Sequence, residues 1–191
     1  MIIEYSNFIA GGFIDKLVCD NLIKYFENCK YKVAGKVGNS DERAIIKDDI
    51  KKSTDLNIMN YNQDKEILDY YDELNKITTM YKDKYKYCDI NMERWGIVEA
   101  WNIQRYKPNE GFVKYHTEVT GKALSQRHLV FMTYLNDVND GGETEWYYQK
   151  LKVKPKKGLT LLWLPNWTYT HRGITSKTET KYICTGWYSF Y

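Results

Sequence analysis

The spacing of apolar side chains changes character near residue 97. Before it, apolar positions recur at intervals of three and four. Ile14, Leu17, Val18, Leu22, Tyr25 and Phe26 form one stripe, and Ile67, Tyr70, Tyr71, Leu74, Ile77, Thr78, Tyr81 and Tyr85 form a longer one. Such a stripe falls on one face of an α-helix, so the pattern predicts one helix of about four turns and a second of about five. Asp64, Glu66, Asp69 and Asp72 load the start of the second stripe, and Lys82, Lys84 and Lys86 its end. That order of charge suits the helix dipole. Residues 2–9 read as a short edge strand broken by Gly11-Gly12. Gly35 and Gly38 mark a turn, residues 39–52 are polar without a clean period, and Ser53-Thr54-Asp55 reads as a turn or the lead-in to an element.

From Ile97 the pattern turns to β. Strand-like runs cover residues 97–106, 112–118, 128–135, 143–146, 151–153, 159–164, 168–172 and 181–190, with turns at 108–111, 136–142 and 155–158. Seven or eight short strands joined by loops rich in Gly, Pro and Asn predict an antiparallel sandwich or barrel. With helices confined to the first half, the expected class is α+β, mainly β, the N-terminal helices packed on one sheet. The 191 residues suit a single domain, 1–191, with a helical support region over 1–96 and a β core over 97–191.

Composition narrows the function classes. Lysine and arginine number 28 against 25 acidic residues, a net charge of +3, and the basic runs are short and interleaved with acids. That disfavours nucleic acid as a partner. No run approaches eighteen apolar residues, so no membrane span is expected. The beginning, MIIEYSNFIAGG, lacks a basic stretch followed by an apolar one and does not read as a signal peptide. Cys19, Cys29, Cys88 and Cys184 have no metal spacing and suit free thiols in a reducing compartment, the cytoplasm of a bacterial cell or of a virus-infected host. The 18 tyrosines and 6 tryptophans could line a polar pocket or pack a sheet. Oligomeric state is not legible.

The chemistry gathers around three histidines. His116 and Glu118 stand two apart in a strand-like run, and residues at that spacing share a face. An imidazole and a carboxylate presented together make two thirds of the two-histidine, one-carboxylate triad of non-haem ferrous iron. His-x-Glu is common by chance, so the third donor matters: His171 lies 55 residues on, after an apolar strand and a polar loop. Lys181 opens the last strand, either as an exposed strand-end lysine or as the partner of an anion held inside the fold. His128, beside Arg127 at the start of a strand, reads as structural or surface.

With these residues in order, the stretch from Ile97 to Tyr191 resembles the Fe(II)- and 2-oxoglutarate-dependent dioxygenases, in their prolyl 4-hydroxylase-like branch. The segments QRYKPNEG, YLNDVNDGGETE, PKKG and KYICTGW carry the resemblance at family spacing. It implies a double-stranded β-helix, or jelly-roll, core, iron held by His116, Glu118 and His171, and 2-oxoglutarate and dioxygen as cosubstrates, with ascorbate a candidate reductant. It also implies that Lys181, with Tyr106 or Thr160, engages the far carboxylate of 2-oxoglutarate. Arg172 and Trp187 become candidates for holding substrate or supporting the iron ligands, and Trp163 and Trp167 for shaping the pocket. The segment from Val37 to Ile58 would wall the entrance. The family places aspartate where Glu118 stands, and the presence of a carboxylate argues against halogenating variants. The implied reaction hydroxylates an unactivated carbon and releases succinate and carbon dioxide. A prolyl residue of a peptide or protein is the favoured target. The alternatives are a free amino acid or small metabolite, or a jelly-roll binding module without catalysis.

Overall fold

In the computed structural model, which describes residues 2–38 and 45–191, the chain runs through β1 (Ile3–Ser6), β2 (Ile9–Phe13), α1 (Lys16–Asn28), β3 (Val33–Ala34), β4 (Thr54–Ile58) and α2 (Lys65–Lys84). It continues through β5 (Trp95–Gly96), β6 (Trp101–Tyr106), β7 (Arg127–Tyr134), β8 (Thr144–Trp146), β9 (Leu151–Val153), β10 (Leu159–Trp163), β11 (His171–Gly173) and β12 (Lys181–Phe190). Among the described residues the strands make two antiparallel sheets. The larger has the order β1-β2-β10-β7-β12-β6-β4-β3, with β5 also on β12, and the smaller has the order β11-β8-β9. No helix among the described residues is long and apolar enough to cross a membrane.

Both helical stripes form as their periods require. In α2, Ile67, Tyr70, Leu74, Ile77, Thr78 and Tyr81 are buried; in α1, Cys19, Leu22 and Phe26 are buried while Leu17 points to solvent. The two helices cover one face of the larger sheet, and their apolar faces merge with Leu56, Ile58, Trp101, Ile103, Leu129, Phe131 and Leu162 into one core. The opposite face of that sheet packs on the smaller sheet. There Val130, Met132, Tyr134, Leu161, Trp163 and Ile183 meet Trp146 and Val153 in a second core. Alternation along β7 and β10 sends successive residues into the two cores in turn. All four cysteines are free thiols, Cys19 and Cys184 buried and Cys29 and Cys88 half-buried.

Three expectations are corrected. Gly11-Gly12 does not end a strand but lies within β2, buried and paired with β10. A Cβ at Gly11 would stand 1.9 Å from the Thr160 carbonyl oxygen, so only glycine lets the two backbones approach this closely. Of the two readings of Ser53-Thr54-Asp55, the lead-in to an element is the one observed: β4 begins at Thr54 and pairs with β6. Residues 1–96, expected as helical support, place five strands, β1 to β5, in the larger sheet as well as supplying both helices. Residues 112–118 are not a strand: their ladder pairing is limited to isolated bridges, Lys51 with Phe112 and His116 with His171. The expected polar segment 39–52 lies partly outside the described residues, at 39–44.

Gly11→Ala should lower stability by about 2 kcal/mol or more, the scale of a buried steric clash, read as a fall in Tm in a thermal melt. An unchanged Tm would place β2 elsewhere.

Candidate metal centre

His116 and His171 are direct partners across the edge of the smaller sheet. Each backbone N–H donates to the other's carbonyl at 2.9 Å. β11 is itself paired to β8, with His171 opposite Trp146, so the bridge hangs His116 on a packed sheet. Glu118 is then turned back by a different device. The Pro165 carbonyl accepts from Glu118 N at 3.0 Å, Val119 N at 3.1 Å and the Thr117 hydroxyl at 2.8 Å. The shared face thus comes from a bridge and a carbonyl anchor, not from strand alternation.

The three side chains converge. Glu118 Oε1 lies 3.6 Å from His116 Nε2 and 3.3 Å from His171 Nε2, and the three donor atoms all fall within 4.8 Å of one another. His116 Nδ1 is 3.0 Å from the Lys114 carbonyl and His171 Nδ1 is 2.9 Å from the Tyr169 carbonyl. A carbonyl only accepts, so Nδ1 carries the proton in each ring and the Nε2 lone pairs face the carboxylate. Phe112 stacks flat on His116 at 3.6 Å, and Trp163 meets His171 edge-on at 5.2 Å, which fixes both ring planes. Burial pushes the His116 imidazole below its ordinary value, with His171 adding to the effect. Burial alone would raise the Glu118 carboxyl, but hydrogen bonds and charge from the two imidazoles in their protonated forms prevail and hold it well below the carboxylate range. An ionised carboxylate and neutral imidazole are the ligating forms, so the donor set fits a divalent transition metal with open positions.

The centre opens on a cavity of about 1030 Å³ that also reaches Tyr106, Arg172, Lys181 and Trp187. Lys181 pairs with Tyr106 across β12 and β6. Its buried Nζ lies 5.1 Å from the Tyr106 ring and donates to the Gly142 carbonyl at 3.0 Å. No carboxylate among the described residues comes within salt-bridge reach of it. Burial pushes its pKa down to about 8, although the charge of Glu143 works the other way. An ammonium so placed lacks only an anion. Trp163 lines the same cavity, and its buried indole N–H has no protein partner. A ligand bearing carboxylates would satisfy both groups.

Tyr106 donates its hydroxyl proton to Gln104 Oε1 at 2.7 Å; Gln104 in turn donates to Asp55 at 3.3 Å, and Asp55 takes Lys51 at 2.6 Å and Ser53 at 2.7 Å. This buried belt across β4 and β6 was not legible in the sequence, where residues 53–55 read as a turn or the lead-in to an element. Val37, Gly38, Lys51, Asp55 and Asn57 do line the cavity, as the expected entrance wall, with residues 39–44 outside the described part. Thr160 is a correction. Its hydroxyl faces the helices, 2.8 Å from the Thr133 hydroxyl, which is 2.9 Å from that of Tyr70, and it does not reach the cavity. Arg172 lies at the rim, donating to Glu145 at 2.7 Å with its guanidinium 4.5 Å from the Tyr115 ring. Trp187 donates to Glu118 Oε2 at 3.1 Å. Trp167 is exposed and outside the cavity wall. His128 is structural, 2.8 Å from the Cys88 carbonyl and packed between Trp95 and Phe190.

Residues 101–189 match the model of the 2OG-Fe(II) oxygenase superfamily. A probable prolyl 4-hydroxylase 9 of Arabidopsis thaliana is 32% identical over 117 residues, 47% of this chain and 40% of that protein, so the chain spans about two fifths of its curated relative. Among solved structures, the viral collagen prolyl hydroxylase of Paramecium Bursaria Chlorella virus-1 superposes with a TM-score of 0.70 at 21% identity, over 97% of this chain and 98% of that one. A prolyl-4-hydroxylase of Pseudomonas putida gives 0.68 at 12% identity, over 97% and 94%. A prolyl hydroxylase of Trichoplax adhaerens, in complex with a hypoxia inducible factor peptide fragment, gives 0.67 at 16%, over 100% and 83%. The chain shares the fold of all three.

Removing either imidazole should abolish metal binding while leaving the fold. His116→Ala and His171→Ala are expected to weaken Co(II) or Mn(II) binding by at least a hundredfold, with far-UV circular dichroism unchanged. Wild-type affinity in either variant would take that histidine out of the centre.

Proposed function

We propose that the chain, whose residues 101–189 match the model of the 2OG-Fe(II) oxygenase superfamily, is an Fe(II)- and 2-oxoglutarate-dependent dioxygenase that hydroxylates a prolyl residue in a peptide or protein. The observation that carries this is the placement of two features in one cavity: the His116–Glu118–His171 cluster, and the buried Lys181 ammonium without a counter-charge. The core around them is read as a double-stranded β-helix, the smaller sheet completed at its edge by the His116 bridge.

His116, Glu118 and His171 would hold ferrous iron on one side, leaving the cavity side open. Iron with 2-oxoglutarate and dioxygen supplies the oxidising power to hydroxylate an unactivated carbon, with release of succinate and carbon dioxide. Lys181 binds the distal carboxylate of the cosubstrate through a charge-assisted hydrogen bond that burial strengthens. The Tyr106 ring below the ammonium walls this subsite. Phe112, Trp163 and Trp187 exclude water from the reacting face.

A peptide substrate is favoured by what lies outside the cavity. From Arg172 and Tyr115 at the rim, exposed rings continue as Tyr115–Tyr147 at 5.1 Å, Tyr147–Tyr148 at 5.2 Å and Tyr148–Trp167 at 5.8 Å. Extended proline-rich segments dock on aromatic surfaces of this kind, because their backbone is already ordered and their rings stack. The relatives named for prolyl hydroxylation point the same way.

The test is succinate release with iron, ascorbate and 2-oxoglutarate, on proline-containing peptides and free amino acids in parallel, with product mass read for a gain of one oxygen. Oxygen on a peptidyl proline is the expected result. Oxygen on a free amino acid would move the substrate to small metabolites, and no succinate with any substrate would leave a binding module.

Lys181 adds a pH signature. Its depressed pKa of about 8 means the ammonium is present below that pH and lost above it. Affinity for 2-oxoglutarate in the metal-free protein should therefore be flat below pH 8 and fall as pH rises beyond it. Lys181→Ala should lower the affinity by at least tenfold and remove the pH dependence, both measured by calorimetry.

A further inference from the structure

Glu118 reaches the centre with one methylene more than the aspartate that the family resemblance would place there, and its second oxygen is not idle. We infer that Trp187 and Arg127 are positioning residues that decide which Glu118 oxygen faces the metal, and that they match the centre to a glutamate. The inference rests on the metal centre above and concerns its carboxylate.

The geometry divides the carboxylate in two. Oε1 faces the imidazoles, at 3.3 and 3.6 Å. Oε2 points away, accepts from Trp187 Nε1 at 3.1 Å and lies 3.7 Å from Arg127 Nη1. Arg127 is itself immobilised. It donates to the Glu118 backbone carbonyl at 2.8 Å and to both oxygens of Glu99 at 3.0 and 2.7 Å, and its guanidinium lies 3.5 Å from the Trp187 ring. Glu99 is held in turn by the Ser189 hydroxyl at 3.0 Å. The clamp rests on regular structure: β12 carries Trp187 and Ser189, β7 starts with Arg127, and Ser189 and Arg127 are opposite each other in that ladder.

A planar carboxylate with Oε2 held by the Trp187 N–H and faced by the Arg127 charge offers a metal Oε1, as a one-oxygen ligand. It is also spared a search among rotamers when the ion arrives. An aspartate, shorter by one carbon–carbon bond of about 1.5 Å, cannot reach both the clamp and the point shared by the imidazoles. Outer groups of this kind tune ligand orientation and affinity by about ten- to a hundredfold.

The test is a cycle of variants on the whole chain, with Co(II) as probe, affinity from titration and ligand geometry from the visible absorption bands. Trp187→Phe keeps the ring but loses the N–H, and should weaken Co(II) binding by about tenfold and shift the bands. Glu118→Asp should weaken it similarly. The double variant should bind within about twofold of Glu118→Asp, because the clamp has nothing left to hold. Should Trp187→Phe prove poorly folded, Arg127→Lys, which keeps the charge but loses the fork, is read against Glu118→Asp in the same way. Losses that multiply in the double variant, or wild-type affinity and bands in Trp187→Phe, would overturn the clamp. A wild-type chain that binds no Co(II) would overturn the metal centre itself, which separates the two failures.

Discussion

The site depends on one reciprocal backbone pair. His116 and His171 exchange N–H to carbonyl bonds across a sheet edge, and with the Gly173 N–H donating to the Phe112 carbonyl at 2.8 Å this ties the 112–118 segment to β11. A narrow pair of this kind fixes both Cα positions and sends the two side chains to the same face. The imidazoles consequently start 4.4 Å apart, centroid to centroid, before any metal is present. Their ring rotations are then locked from outside by Phe112, Trp163 and two carbonyls. Preorganisation is bought here with backbone bonds, and the segment needs no strand of its own.

That pair is only as rigid as the sheet it hangs on, which explains the double core. The smaller sheet has three short strands and could not stand alone. It is pinned by Trp146 and Val153 to the inner face of the larger sheet, whose outer face is backed by α1 and α2. Hydroxyl contacts bind the helix layer to the central strands: Tyr70 with Thr133, and Thr78 with Tyr188 at 2.7 Å. Thr160 belongs to this scaffold. The tyrosine-rich face of α2 therefore bears on the site indirectly, by holding β7, β10 and β12 in register beneath it.

Much of this was legible in the residues. The long, strongly periodic stripe of α2 could be only a helix, and the apolar runs of β7, β10 and β12 only interior strands. The three residues that converge could be named from their spacing and the family resemblance, because the chain has only three histidines and one of them stands two before a carboxylate. What failed, failed for tertiary reasons. Gly11-Gly12 looks like a breaker locally and becomes a strand because β10 needs its backbone close. Asp55 looks like a turn residue and becomes a buried acceptor because Lys51, Ser53 and Gln104 satisfy it. Thr160 lies on the right strand, but with a period of two its side chain falls on the helix face, and the parity was not readable until the strand's partners were known.

The polar groups of the cavity are divided between spent and unspent, and the division says how a dicarboxylate would be read. Asp55 orients Gln104 by accepting from its amide nitrogen, which leaves Gln104 Oε1 facing the Tyr106 hydroxyl. Tyr106 has one proton and gives it to that oxygen, so towards a ligand it offers a ring face and a lone pair, neither of which attracts a carboxylate. Lys181 and the Trp163 N–H have the opposite standing: one has only a carbonyl, and the other has no protein partner. An anion entering here exchanges hydration for one ammonium and one indole donor held at set points. The cost of burying Lys181 is incurred on folding, before any anion binds. A neutral ligand of the same size would leave that charge uncompensated, so selection for the carboxylate end comes as much from what the empty pocket lacks as from what it donates.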